Sequence, residues 1–146
     1  MIANGLCMSP DGSRLYFADS PTRTITVFDV QEPDGQLGAA RLFARTEDPA
    51  VPDGATIDAE GCLWSAQWGG ARVLRYAPDG RIDLALSVPA SQLTCVAFGG
   101  PALDLLFVTS ARDYLDEAAL REQPHAGDVF VYQTPFKGLP EEEYRP

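Results

Sequence analysis

The chain is poor in the residues from which many catalytic and metal centres are built. Its 146 residues hold one histidine, His125, and three cysteines, Cys7, Cys62 and Cys95, widely spaced and without a C-x-x-C pair. That spacing excludes a Cys/His zinc cluster and a dithiol redox centre. Each cysteine lies in or beside an apolar run, so all three are expected as reduced, buried core thiols. A Ser-His-Asp arrangement would have to depend on His125, which follows Pro124 in a loop-like stretch and reads as a surface residue. Basic residues are also few, 11 against 21 acidic ones, for a formal charge of −10. They form no cluster that could track phosphates, which argues against a nucleic-acid partner. No apolar run approaches the roughly 20 residues of a membrane span, and the opening residues lack a basic n-region followed by an apolar stretch. A soluble, cytoplasmic protein with no membrane partner is expected.

What is present is β-structure. Apolar residues make up 45% of the chain, enough for a packed core. They fall in short runs bounded by Gly, Pro and Asp, the pattern of an all-β fold. Leu15 to Ser20 aligns with Leu63 to Trp68 and with Leu106 to Ala111, at offsets of 48 and 43 residues. The runs that follow, Thr24 to Asp29, Arg72 to Ala77 and Asp128 to Gln133, repeat too, each with an aromatic near its end. That period predicts propeller blades of four strands each. With inner strands at Gly5 to Met8, Ala55 to Ile57 and Leu93 to Phe98, and outer strands at Arg41 to Ala44 and Asp83 to Val88, the blades fall at about 1–48, 49–90 and 91–134. The third is one strand short, and 135–146 is a tail whose Glu141-Glu142-Glu143 run is expected to be solvated. Between the second and third strands of the last blade, Leu115 to Arg121 predicts a short helix with Asp113 or Asp116 as N-cap, a loop that could lie over one end of the ring. Three blades cannot close a ring of 4–8, so half of a propeller is expected to be absent from these residues.

Pro-Asp-Gly occurs at Pro10, Pro33, Pro52 and Pro78, and the tripeptide is what a tight turn selects. Asp53 differs by position. It stands before the first strand of its repeat, eight residues ahead of Gly61, as Asn4 stands eight residues ahead of Gly12. Two side-chain oxygens in one register are the start of a metal site, although an Asn-Gly turn alone would also account for Asn4. Asp19, Asp58 and Asp104 read as turn or strand-end carboxylates. Trp64 and Trp68 read as core or channel-wall aromatics, and Arg72 and Arg112 are equally ambiguous.

Taken in order, Asn4-Gly5-Leu6, Ser9-Pro10-Asp11-Gly12, Pro52-Asp53-Gly54, Asp58-Ala59-Glu60-Gly61, Gly69-Gly70-Ala71-Arg72-Val73, Ala97-Phe98-Gly99-Gly100 and Val108-Thr109-Ser110-Ala111-Arg112 strongly resemble the C-terminal half of the regucalcin (senescence marker protein)/gluconolactonase family. The resemblance implies a six-bladed propeller of which this chain covers about three blades. It also implies a metal-dependent sugar lactone hydrolase with one divalent cation, Ca²⁺, Mg²⁺, Mn²⁺, Zn²⁺ or Fe²⁺, in the central channel. By resemblance Asn4 and Asp53 are metal ligands and Asp53 is also the catalytic base. The family's third ligand, an early Glu, and its sugar-contacting Arg and Asn have no counterpart here. The expected partner is thus a sugar lactone once the missing half is supplied, and the chain alone is expected to be inactive, to self-associate or to pair with an N-terminal half. The contrasting expectation is a non-catalytic half-propeller acting as a binding or assembly module. A phosphotriesterase-like propeller hydrolase fits these motifs less well.

Overall fold

Strands whose residues alternate in burial, such as Arg14–Asp19, build three antiparallel sheets one after another along the chain. The computed structural model describes residues 1–31 and 33–140. The first sheet holds β1 (Ala3–Met8), β2 (Arg14–Asp19), β3 (Thr24–Gln31), β4 (Gln36–Leu37) and β5 (Arg41–Arg45). The second holds β6 (Val51–Ile57), β7 (Leu63–Trp68), β8 (Arg72–Tyr76) and β9 (Ile82–Ser87), and the third holds β10 (Leu93–Gly99), β11 (Leu105–Ser110) and β12 (Val129–Gln133). Each sheet is one blade, so the fold is an all-β propeller of the six-bladed type, of which the chain covers about three blades. The two-residue β4 was not expected. It forms because the Pro33-Asp34-Gly35 turn folds the chain back onto the end of β3 before it crosses to β5.

Blades pack face to face through the alternate residues of their strands. Tyr16, Ile25 and Val27 of the first blade meet Leu63, Leu74 and Tyr76 of the second. On its other side the second blade presents Trp64, Ala66 and Val73 to Leu93, Val96, Leu106 and Val108 of the third. Each large side chain buried this way contributes roughly 1.5–3 kcal/mol, and among the described residues the second blade is the one covered on both faces.

One polar hub runs through the second interface. Asp58, between β6 and β7, is fully buried. It accepts hydrogen bonds from the Glu60 and Cys62 amides at 3.0 and 2.9 Å, from Trp64 Nε1 at 2.8 Å and from Arg75 Nε at 2.8 Å. Arg75 also pairs with Glu60 at 2.6 Å and with Asp83, and its guanidinium lies 3.8 Å from the centre of the Phe136 ring. Burial works against the Arg75 charge, but the three carboxylates outweigh it and hold its pKa above the ordinary value.

The hub explains why residues 135–140 are not the expected tail. Phe136 packs against Trp64 and Arg75, the Ala59 amide donates to Lys137 O at 2.8 Å, and the Gly138 amide donates to Leu103 O at 2.8 Å. The Glu141-Glu142-Glu143 run lies outside the described residues. The helix α1 (Glu117–Glu122) starts later than Leu115, because Asp116 rather than Asp113 caps it, accepting from the Ala119 amide at 2.8 Å. Gln123 Oε1 accepts from the Ser91 amide at 2.6 Å, which ties this insertion to the loop ahead of β10.

Removing a partner from a buried ion pair costs about 3–5 kcal/mol, whereas exposed pairs are worth about 0–1 kcal/mol. Asp58→Ala is therefore expected to lower stability by about that larger amount, and Glu60→Ala, whose side chain is 66% exposed, by no more than about 1 kcal/mol. Urea unfolding followed by circular dichroism and Trp emission checks the ranking.

Candidate metal centre

The later residues of the three inner strands, β1, β6 and β10, line one concave recess of about 560 Å³ with Leu139 and Pro140, bounded by Leu6 to Met8, Ala55 to Ile57, Ala97 and Phe98; Asn4, Asp53 and Thr94 stand nearer the strand starts and are not in its lining. Each inner strand carries one more residue than its partner at the same level. Pairing steps from Asn4↔Ala18 to Cys7↔Tyr16, from Pro52↔Gln67 to Ala55↔Ser65, and from Leu93↔Ser110 to Cys95↔Thr109. These are bulges, which re-aim side chains out of the regular pleat. Asn4 and Asp53 therefore lie within their strands, not ahead of them as expected. Pro52 and Gly54 interrupt the β-pattern in sequence, but the bulge absorbs both.

Register makes Asn4, Asp53 and Thr94 equivalent, followed in turn by Gly5, Gly54 and Cys95. The glycines set how closely the strands approach. A Cβ on Gly5, whose φ is +51°, would stand 2.9 Å from Asp53 O, and one on Gly54 would stand 2.5 Å from Cys95 Sγ and 2.7 Å from Thr94 O. Across the first seam, Asn4 Nδ2 donates to Ser20 Oγ at 3.2 Å, and Ser20 Oγ donates to Pro52 O at 2.7 Å. Buried Ser20 thus fixes Asn4 against the strand that carries Asp53. Sequence reasoning passed over Ser20, although a signal existed: it is the small hydroxyl residue at the repeat position where the second blade has Trp68.

Asp53 is half-buried, and burial raises its carboxyl pKa; the adjacent Asn4 side chain and the Gly54 amide offset this in part. Among the described residues no basic side chain forms an ion pair with it. An Asn carbonyl and a partly desolvated carboxylate lacking a counter-charge suit a hard divalent cation by type. They fall short by number: among the described residues no group of three or more His, Cys, Asp or Glu side chains is placed to hold a metal. In the third blade, Thr94 Oγ1 is engaged with Thr109 Oγ1 at 2.6 Å.

Other expectations sort themselves by position. Cys62 is buried and Cys7 half-buried with its thiol pushed up to about 12 by desolvation, but Cys95 is exposed rather than buried. It takes the glycine place on the third blade, and its Sγ lies close to Gly54 of the neighbouring inner strand. His125 is exposed, with Nδ1 3.0 Å from Asp128 Oδ2. The neighbouring Ser110 Oγ donates to the Asp128 carbonyl at 2.8 Å, so its hydrogen is committed to the backbone. At the end of the ring where the chain enters β6, part-exposed Trp68 meets Tyr114 of the insertion edge-on, ring centres 6.3 Å apart. Trp64 belongs to the core, and Arg72 reaches to 3.9 Å from Glu47.

The family profile described as SMP-30/gluconolactonase/LRE-like region matches residues 1–112. The chain is 49% identical over 139 residues to an L-arabinolactonase of Azospirillum brasilense, covering 94% of this chain and 45% of the relative. It is 40% identical to a 6-deoxy-6-sulfogluconolactonase of Pseudomonas putida, covering 97% and 49%. The crystal structure of a calcium-binding protein, regucalcin, from Agrobacterium tumefaciens superposes with a TM-score of 0.92 at 38% identity, over 99% of this chain and 50% of that one. The chain thus spans about half the length of the curated relatives it matches.

A carboxyl whose pKa is raised by folding holds its proton more tightly in the folded state. The stability it lends is present in acid and is lost as pH rises through its folded pKa. Without added metal, Asp53→Asn is therefore expected to melt above the wild type at neutral pH, with the gap closing below the ordinary carboxylate range. Thermal melts across pH in chelator check this.

Proposed function

Because the chain belongs to the SMP-30/gluconolactonase/LRE-like family, we propose that it supplies three blades of a metal-dependent sugar lactone hydrolase and has no turnover by itself. The observation that carries this reading is the shared bulge level of Asn4 and Asp53 on adjacent inner strands, with Ser20 bracing the seam between them. Asn4 offers its amide oxygen and Asp53 its carboxylate to a hard cation. When bound, that ion supplies Lewis-acid polarisation of the lactone carbonyl. Asp53 is the base, the carboxylate of the pair that takes a proton from the attacking water. As the bond between the carbonyl carbon and the ring oxygen breaks, the same carboxyl returns the proton to the ring oxygen, which leaves an open-chain hydroxy acid. Asn4, held by Ser20 against the strand that carries Asp53, is a positioning neighbour of that carboxylate.

The missing parts are those the family places in its other half: a third ligand and the Arg and Asn that contact the sugar. A second reading, a half-propeller that binds without catalysis, is favoured by the engaged Thr94 hydroxyl at the third equivalent position, which leaves the donor set short. The two readings separate in one assay.

The 146-residue chain is expected to open aldonolactones no faster than buffer, with or without Ca²⁺ or Mn²⁺. Joining the first half of a family member upstream is expected to produce chelator-sensitive acid release. In that joined protein, Asp53→Ala should cost about 10²–10⁴-fold, the usual weight of a general base, and Asn4→Ala should cost less. Chelator-sensitive turnover by the chain alone would overturn the proposal. Continued inactivity of a well-folded joined protein would favour the non-catalytic reading.

A further inference from the structure

The end of the ring at which the inner strands start carries an aromatic corner that the chemistry above leaves unused. Trp68 takes in the second blade the place that Ser20 takes in the first. The Ser20 amide donates to Ile2 O, two residues ahead of Asn4, and Trp68 pairs with Val51, two residues ahead of Asp53. Ser20 reaches across the first seam to Pro52 O; Trp68 stands at the second seam, where its backbone bridges to Gln92 and its indole meets the insertion of the third blade. Tyr114 comes from that insertion, its ring centre 6.3 Å from that of Trp68 and the two planes at 77°. Its φ of +61° is an outlier for a bulky residue. At 94% exposed, Tyr114 buries too little apolar surface to offset that conformation. The insertion is fastened by other groups: the Leu115 amide donates to Arg112 O at 3.2 Å, the Gly127 amide to Ser110 Oγ at 3.0 Å and the Ser91 amide to Gln123 Oε1 at 2.6 Å. Backbone strain that packing does not repay is characteristic of ligand clamps.

We propose that Trp68 and Tyr114 are specificity-determining residues, a wall beside the Asn4–Asp53 level that takes a C–H face of the closed sugar lactone ring. That the ligand is a lactone rests on the function proposed above; the corner itself does not. Aromatic faces are electron-rich and the C–H bonds on one face of a sugar ring are weakly positive, so the two stack without hydrogen bonds. Two rings near a right angle hold a compact ring against a face and an edge. They grip an open chain poorly, because its rotatable bonds must be frozen on binding. The wall therefore selects the closed lactone and releases the opened hydroxy acid.

Saturation-transfer NMR on the full 146-residue chain tests the wall with millimolar D-galactono-1,4-lactone and with galactitol, a neutral open-chain polyol. Transfer should reach the ring C–H protons of the lactone and be much weaker to galactitol. It should be lost in Trp68→Ala and in Tyr114→Gly and kept in Trp68→Phe. Glycine is at home at positive φ, so Tyr114→Gly should melt no lower than the wild type. If the ring only fastened the insertion, that variant would melt lower and leave transfer intact, which would overturn the wall. In the joined protein described above, Trp68→Ala and Tyr114→Gly should each raise KM about 2–10-fold, the weight of an aromatic contact, at unchanged kcat. No transfer to the lactone, or equal transfer to lactone and galactitol, would overturn the wall. Unchanged KM in an active joined protein would overturn it too and leave the lactonase reading standing. Transfer that depends on both rings beside an inactive joined protein would uphold the wall and count against the lactonase reading alone, because the measurement needs no turnover.

Discussion

The arrangement around the channel depends on how closely three inner strands can approach one another, and backbone atoms set that distance. At Gly5 and Gly54 a side chain would meet the carbonyl or Cα of the next strand at less than 3 Å. Only the absence of a Cβ lets Asn4, Asp53 and Thr94 stand shoulder to shoulder on successive bulges. The blade faces are then brought into apolar contact, and the Asp58–Arg75 hub has a dry place to form. The site and the core are thus two results of one constraint.

Much of this was legible because propeller blades repeat. The strand that begins at Leu15, Leu63 and Leu106 announces itself three times, and the outer strands were placed within a residue or so. Register in the repeat also set Asn4 and Asp53 apart from the three other Pro-Asp-Gly turns, and the two stand at the same bulge level of adjacent inner strands. Pattern reading failed where tertiary contacts decide. Pro52 and Gly54 look like strand breakers, yet a bulge accommodates them inside β6. Asp58 looks like any turn carboxylate, and nothing local reveals that Trp64, Arg75 and two amides converge on it. Cys95 sits in an apolar run, but it is exposed because it stands at the bulge of β10, which the run does not reveal.

The polar groups divide the labour between the seams. Between the first and second blades, the short relay from Asn4 through Ser20 to Pro52 positions a channel residue. At the second blade's other face, Asp58 and Arg75 lock the segment around Phe136 against Trp64. A buried charge of this sort specifies one arrangement more than it adds stability, because desolvation offsets most of its attraction.

Among the described residues the second blade is the one covered on both faces, and its strands β7 and β8 are almost wholly buried. Local opening free energies follow such burial, so hydrogen exchange is slowest there and faster in the blade on either side. Asp53 belongs to the blade that opens last, while Asn4 belongs to one that opens sooner. The separation of their oxygens therefore fluctuates with the first blade, and whatever holds that blade down also sharpens the site.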